Sequence, residues 1–244
     1  MRAARFFIDA PLALGTTLEL PPRAAHHAVR VLRLRDGDSI VLFNGQGGEF
    51  HARLTIAGSG VVAEIQASDA VERESRLSVT LVQAWIATDK LDWVIEKSVE
   101  LGIHSIVLTP TQRAVVRVTD DRLAKRLDRL RELIVAACAQ CGRNRIPQIE
   151  AAATLADALR AGQSDGAIGL LLEPDAALPL SEAELSHRRV ALAVGPEGGF
   201  DDAELELARR LGYRAHRLGP RILRTETAGL AALSALQATA GDFR

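Results

Sequence analysis

Apolar and polar positions change rhythm once along this chain. Over roughly the first 70 residues they alternate in short runs: RFFI, DSIVLFN, EFHARLTIAG and GVVAEIQAS read as β-strands, broken by turn signals at Asp36-Gly37, at NGQGG and at Gly58 and Gly60. A single helical pattern, PRAAHHAVRVLRL, starts behind two prolines, as helices often do. Closely spaced strands around one helix predict a small barrel.

The charged segment SDAVERESR suits a linker, with the boundary placed between residues 72 and 73. Beyond it strands and helices alternate. LSVTLVQAW is followed by the amphipathic TDKLDWVIEKSVELG, with Thr88 or Asp89 as expected N-cap and Gly102 as stop. HSIVLTP, a long helix from Arg122 to about Cys141, a helix at TLADALRAG, strands at GAIGLLLEP and RVALAVG, a helix at DDAELELARRLG, the strand YRAHRLG and a last helix complete the series. Alternation with apolar strand runs predicts an α/β domain over 73–244, a mostly parallel sheet with helices on both faces.

Composition narrows the class. With 244 residues, 48% hydrophobic and 25% charged, the chain is globular in type. No apolar run reaches the length of a membrane span, and Asp9 and Pro11 break the N-terminal segment too early for a signal peptide, so a cytoplasmic protein without membrane contact is expected. A net charge of -1 excludes a uniformly basic nucleic-acid binder but averages over an uneven chain: PPRAAHHAVRVLRLR is rich in arginine and LLEPDAALPLSEAELS in acids. Cys138 and Cys141 form a CxxC at a helix end, where packing is expected rather than redox chemistry, and two ligands fall short of a structural zinc site, so no metal is expected.

In open α/β sheets ligands lie beyond the carboxyl ends of the strands. Three such exits carry glycine, proline or an acid: LLEP at 171–174, VGPEGGF at 194–200 and LGPRILRTETA from Leu218. Glycines let a backbone approach a ligand and prolines stiffen the loop. Neither GxGxxG nor GxxxxGK[ST] occurs, which weakens a dehydrogenase or P-loop reading. Plainer roles fit part of the pattern, with Asp201 capping the helix after GPEGGF and Thr225 capping the last helix. They leave unexplained why Arg221 and Arg224 flank the apolar Ile222 and Leu223, a combination suited to an aromatic ring and an anion.

HAVRVLRLRDGD, EKSVELGI, AQCGRNRIP, VGPEGGF and LGPRILRTETAGLAAL, in that order, resemble the RsmE family of ribosomal small-subunit RNA methyltransferases in the SPOUT superfamily, over nearly the whole chain. The resemblance implies a trefoil-knotted α/β domain behind a PUA-like RNA-binding barrel at 1–72, a homodimer, and transfer of methyl from S-adenosyl-L-methionine to N3 of one uridine of 16S rRNA, at 1498 by the family's name. It implies cofactor contacts at Leu171, Leu172, Glu173, Gly195, Glu197, Gly198, Leu218, Gly219, Leu223, Arg224, Thr225 and Thr227.

The N3 proton of the uridine must leave or its anion be stabilised. Arginine stays protonated, so it can stabilise charge on the uracil oxygens but is a poor base. Arg224 is the first candidate, Arg143 or Arg145 the second, and Glu197 the candidate base or, alternatively, a tie for its glycine loop. RNA contacts are expected from Arg23, Arg30, Arg33, Arg35, Arg113 and Arg145. The histidines fall outside the motifs, with His104, His187 and His216 near strand starts, and structural or surface roles are expected for them. An RNA-binding assembly factor without transfer, or a related enzyme acting on another nucleotide, are the rival readings.

Overall fold

The computed structural model describes residues 3–58, 60–116, 120–185 and 188–243; His187 lies outside them. The chain forms two compact units, Met1–Glu74 with Cys138–Ile146, and Ser75–Ala137 with Pro147–Arg244. No helix of the described residues is long and apolar enough to cross a membrane.

In the first unit, β1 (Ala4–Phe7), β2 (Thr17–Glu19), β3 (Ser39–Phe43), β4 (Glu49–Ala57) and β5 (Gly60–Asp69) form one sheet in the order β1-β3-β4-β5-β2. Only β1 and β3 run parallel; the other pairs are antiparallel, with a register shift in β4 between His51 and Ala52 that bends the strand. Alternate side chains point inward, so Phe6, Leu42, Leu54, Ala63 and Ile65 meet Ala28 of the helical segment in one core. That segment is not one regular helix. α1 (Pro22–His26) gives way to a π-helical turn, His27–Val31, where Leu32 N–H bonds back five residues to the His27 carbonyl at 2.9 Å.

The expected linker is held in place by charge. Arg73 donates to both Glu49 carboxylate oxygens at 2.8 and 3.3 Å, and to the Gly142 carbonyl at 3.0 Å. Arg5 reaches Glu49 Oε2 at 2.6 Å and also the Asn144 side chain. Glu74 pairs with Arg143, and Glu72 with Arg145 at 2.7 Å. These pairs bring 138–146 into the first unit. Glu49, His51 and Asp69 lie within 4.8 Å of one another, but the Glu49 oxygens are already committed to arginines.

The second unit carries β6 (Ser78–Ala84), α2 (Thr88–Glu100), β7 (Ser105–Thr109), α3 (Asp120–Cys141, its last turn in the first unit), β8 (Gln148–Ala151), α4 (Leu155–Gly162), β9 (Ile168–Leu172), β10 (Leu178–Pro179), β11 (Arg189–Val194), α5 (Asp202–Arg210), β12 (Arg214–Arg217) and α6 (Thr225–Ala240). Its seven strands lie in the order β10-β12-β9-β11-β6-β7-β8, and every pair is parallel. β6 and β11 are buried on both faces, as a covered parallel sheet requires. α4 packs closely because Gly162 lacks a side chain: a Cβ there would stand 2.7 Å from Val82 Cγ2 and 2.9 Å from the Tyr213 hydroxyl, which donates to the Leu159 carbonyl.

The helix starts partly depart from expectation. Asp201 caps α5 through a full capping box with Glu204. α2 instead starts from Ala87 without a side-chain cap, one residue before Thr88, and Asp89 sits in the first turn, where a carboxylate still favours the helix dipole. Cys138 and Cys141 are free, and burial pushes the Cys138 thiol up to about 12, which keeps it protonated and inert.

The Glu49 cluster makes a pH-dependent prediction. Hydrogen bonding from Arg73, then from Arg5, holds the Glu49 carboxyl at about 2, against an ordinary 4.5. Its contribution is therefore complete above pH 4.5 and lost as the pH falls towards 2. Glu49→Gln should destabilise the protein at pH 7 by about 3 kcal/mol, because it leaves Arg5 buried without its anion. Urea unfolding at pH 7 and pH 3 tests this: wild type should lose more stability than the variant between the two, and equal losses would show that Glu49 is not the group responsible.

Candidate active site at the strand exits

The strand order brings three exits to one place. β11 lies between β9 and β6, and β12 lies outside β9, so the residues after β9, β11 and β12 open on one edge of the sheet. A cleft of about 520 Å³ lies there, at the point where strands that follow one another in sequence part company in the sheet.

Ten of the twelve residues expected to hold a cofactor line this cleft: Leu172 and Glu173 after β9, Gly195, Glu197 and Gly198 after β11, and Leu218, Gly219, Leu223, Arg224 and Thr225 after β12. Leu171 does not, since it points from β9 into the core. Thr227 does not, since it faces outward from the first turn of α6. Gly219 has φ +68°, a backbone conformation that any side chain would strain.

The loops are locked to the sheet from below. Thr225 is not the N-cap of α6: Arg224 holds that position without a side-chain bond, and Thr225 is the first helical residue. Its hydroxyl donates to the Gly195 carbonyl at 2.6 Å and accepts from Gln83 Nε2 at 3.3 Å. Gln83 lies in β6 opposite Val194 of β11 and is wholly buried. One chain of bonds thus ties β6, the GPEGGF loop and the α6 start.

Arg113 closes the other side, donating to the Gly198 and Phe200 carbonyls at 3.1 Å each, so this expected RNA contact also shapes the glycine loop. Lys90 from the first turn of α2 lies 3.5 Å from Glu197 and 3.8 Å from Glu226. Burial raises the Glu173 carboxyl above its ordinary value. Arg221 and Arg224 stand exposed at the rim, and among the described residues neither has a salt-bridge partner. Ile222 between them is 84% exposed.

Lys90, Glu226, Phe200 and His216 are among the lining residues to which the sequence reading gave no role in the site, and of these Lys90 and His216 lie outside the quoted exits. Lys90 and Glu226 sit in first helical turns next to strand exits, and extending the exit rule to the turn beyond β6 would have found Lys90. Phe200 closes the GPEGGF loop. His216, expected near a strand start, is third in the four-residue β12 and lines the cleft, because that strand is too short to separate its two ends. Arg143, the second candidate, is 5% exposed, and its guanidinium pairs with Glu74 in the first unit.

Comparisons with known proteins agree across both units. Residues 73–237 match the family described as RNA methyltransferase domain, and residues 20–66 match the RNA methyltransferase PUA domain. The ribosomal RNA small subunit methyltransferase E of Rickettsia conorii is 31% identical, over 96% of this chain and 95% of its own length. The crystal structure of the protein of that name from Neisseria gonorrhoeae, bound to S-adenosyl methionine, superposes with a TM-score of 0.94 at 37% identity, covering 100% of both chains. A Legionella pneumophila protein solved with bound SAM gives 0.93 at 36% identity, over 99% of this chain and 100% of its own. Two family matches that together cross both units, and relatives matched end to end, place this chain in the ribosomal RNA small subunit methyltransferase E family.

Proposed function

We propose that this protein transfers methyl from S-adenosyl-L-methionine to N3 of a single uridine of 16S rRNA in the small ribosomal subunit. The observation that carries the reading is the cleft where three strand exits converge, tied by the Thr225–Gly195 bond. Residues 1–72 act as the PUA-like RNA-holding part and 73–244 as the methyltransferase part, with a trefoil knot at the strand exits. The protein works in the cytoplasm as a homodimer and without a metal.

The residues present fit the cofactor. A cleft of about 520 Å³ falls within the usual range for small-ligand sites. Leu172, Val194, Phe200, Ile222 and Leu223 offer apolar surface to a ring, while Glu173 and the Gly195, Gly198, Leu218 and Gly219 backbone offer polar contacts. Leu171 supports this wall from the core, and Thr227 belongs to the rim. When bound, adenosylmethionine supplies a methyl carbon on a positively charged sulfur.

The chain's own residues then handle the uridine. Arg224, exposed at the rim and permanently protonated, donates to a uracil oxygen and stabilises the negative charge that grows as N3 loses its proton. Glu197 takes that proton, oriented by Lys90. Arg143, held by Glu74, keeps its loop in the first unit and stands as the second candidate for stabilising charge on the uracil.

Incubating small subunits that lack the modification with labelled adenosylmethionine tests the reading, with the product located by reverse-transcription arrest. Arrest at one uridine is expected, and Arg224→Ala should slow transfer by about 10²-fold. Label at another nucleotide would assign a different target, and tight subunit binding without label would make the protein an assembly factor. Thr225→Val removes the donor to the Gly195 carbonyl and should cost about 1–3 kcal/mol of stability while weakening cofactor binding, as read by thermal denaturation and equilibrium dialysis. An unchanged affinity would show that the lock does not shape the cofactor site.

A further inference from the structure

We infer that the turn Arg30–Arg33 is an apolar wedge that enters rRNA, Val31 and Leu32 lying against an unstacked base or an opened base step while Arg30, Arg33 and Arg35 hold the phosphates beside it. The inference rests on the rRNA reading above.

The geometry of the π-turn carries it. Ala28 is fully buried in the core of the first unit, and Leu34 returns to pack against that core, its N–H bonded to the Ala28 carbonyl at 2.9 Å. Between these anchors a regular helix would turn part of its surface inward every third or fourth residue. Here the wider turn swings four consecutive residues outward: Arg30, Val31, Leu32 and Arg33 are all exposed. Val31 is 57% and Leu32 43% exposed, two adjacent aliphatic side chains that the fold does not use.

Arg33 completes the bulge with φ +56°, the left-handed region that side chains disfavour. A glycine would adopt it without strain, yet the chain places an arginine there. A positive φ on a non-glycine residue at a surface point leads to a use for its side chain as the reading of this turn.

The surrounding charge selects the partner. From residue 21 to residue 35 there are four arginines and two histidines and no acid. A cationic rim around an aliphatic tip complements a polyanion with apolar faces, which is nucleic acid: phosphates for the arginines, base planes for the tip. RNA-binding surfaces commonly stack bases on aromatic rings. Among the described residues no Phe, Tyr or Trp of the first unit is an exposed large hydrophobic, whereas Val31 and Leu32 are. Aliphatic insertion takes the place of stacking.

Filter binding of the full-length protein to small subunits lacking the modification, across a salt series and with chemical footprinting of the rRNA, tests the wedge. Val31→Ser with Leu32→Ser should weaken binding about tenfold with an unchanged salt slope, and should erase base reactivity changes that wild type produces. Arg33→Gly should flatten the salt slope by about one phosphate contact. It should also melt no lower than wild type, since glycine relieves the positive φ; a purely structural Arg33 would leave the slope unchanged. Wild-type affinity and footprint in the double serine variant would overturn the wedge while the methyltransferase reading stands. A drop in oligomeric state by sedimentation, with subunit affinity intact, would overturn it by assigning the tip to a second copy of the chain. Should wild type itself neither retain subunits nor methylate them, the rRNA reading fails and takes this inference with it.

Discussion

In a sheet whose strands all run parallel, each connection must return the chain to the starting edge before the next strand can begin, so every strand exit faces the same way. In the second unit seven strands obey this constraint. Insertion of β11 between β6 and β9 then concentrates the GPEGGF loop with the segments after β9 and β12. The site is therefore a product of strand order, and its loops need little regular structure of their own.

Convergence alone would leave the loops loose. A buried polar chain runs from Gln83 to Thr225 to the Gly195 carbonyl, where each member is shielded from water and an unmade bond would leave a polar group stranded. Arg113 does comparable work on the far side by binding the Gly198 and Phe200 carbonyls. Preorganising a cleft in this way lowers the ordering cost of binding, which suits a site that must align a displacement in line.

The first unit is organised by a different force. Its core is small, and ion pairs between Arg5, Glu49 and Arg73, and between Glu74 and Arg143, recruit a loop more than sixty residues distant in sequence. Pairs this well buried are expensive to desolvate, so they contribute less to net stability than to selecting a single arrangement, and removing one partner costs more than the pair is worth.

The sequence by itself determined the longer strands and the helices, the change of rhythm near residue 70, the Asp201 cap and the three exits, because these rest on local periodicity, turn chemistry and the rule that ligands sit beyond strand ends; the short β2, β8 and β10 are too brief to show a period and appear only in the structure. It also determined the family, through motifs spread along the chain in a set order. Tertiary structure alone decided which candidates meet. Leu171 and Arg143 are motif residues that packing turned inward, one to an apolar core and one to Glu74, while Lys90 and His216 carry no motif and were brought to the cleft by neighbouring elements. The π-turn also belongs to tertiary structure: a run of thirteen residues with helical spacing holds no local signal for one extra residue per turn, which is imposed where Ala28 and Leu34 must both reach the same core. Local pattern specifies what an element is; long-range pairing specifies what each side chain faces, and function depends on the second.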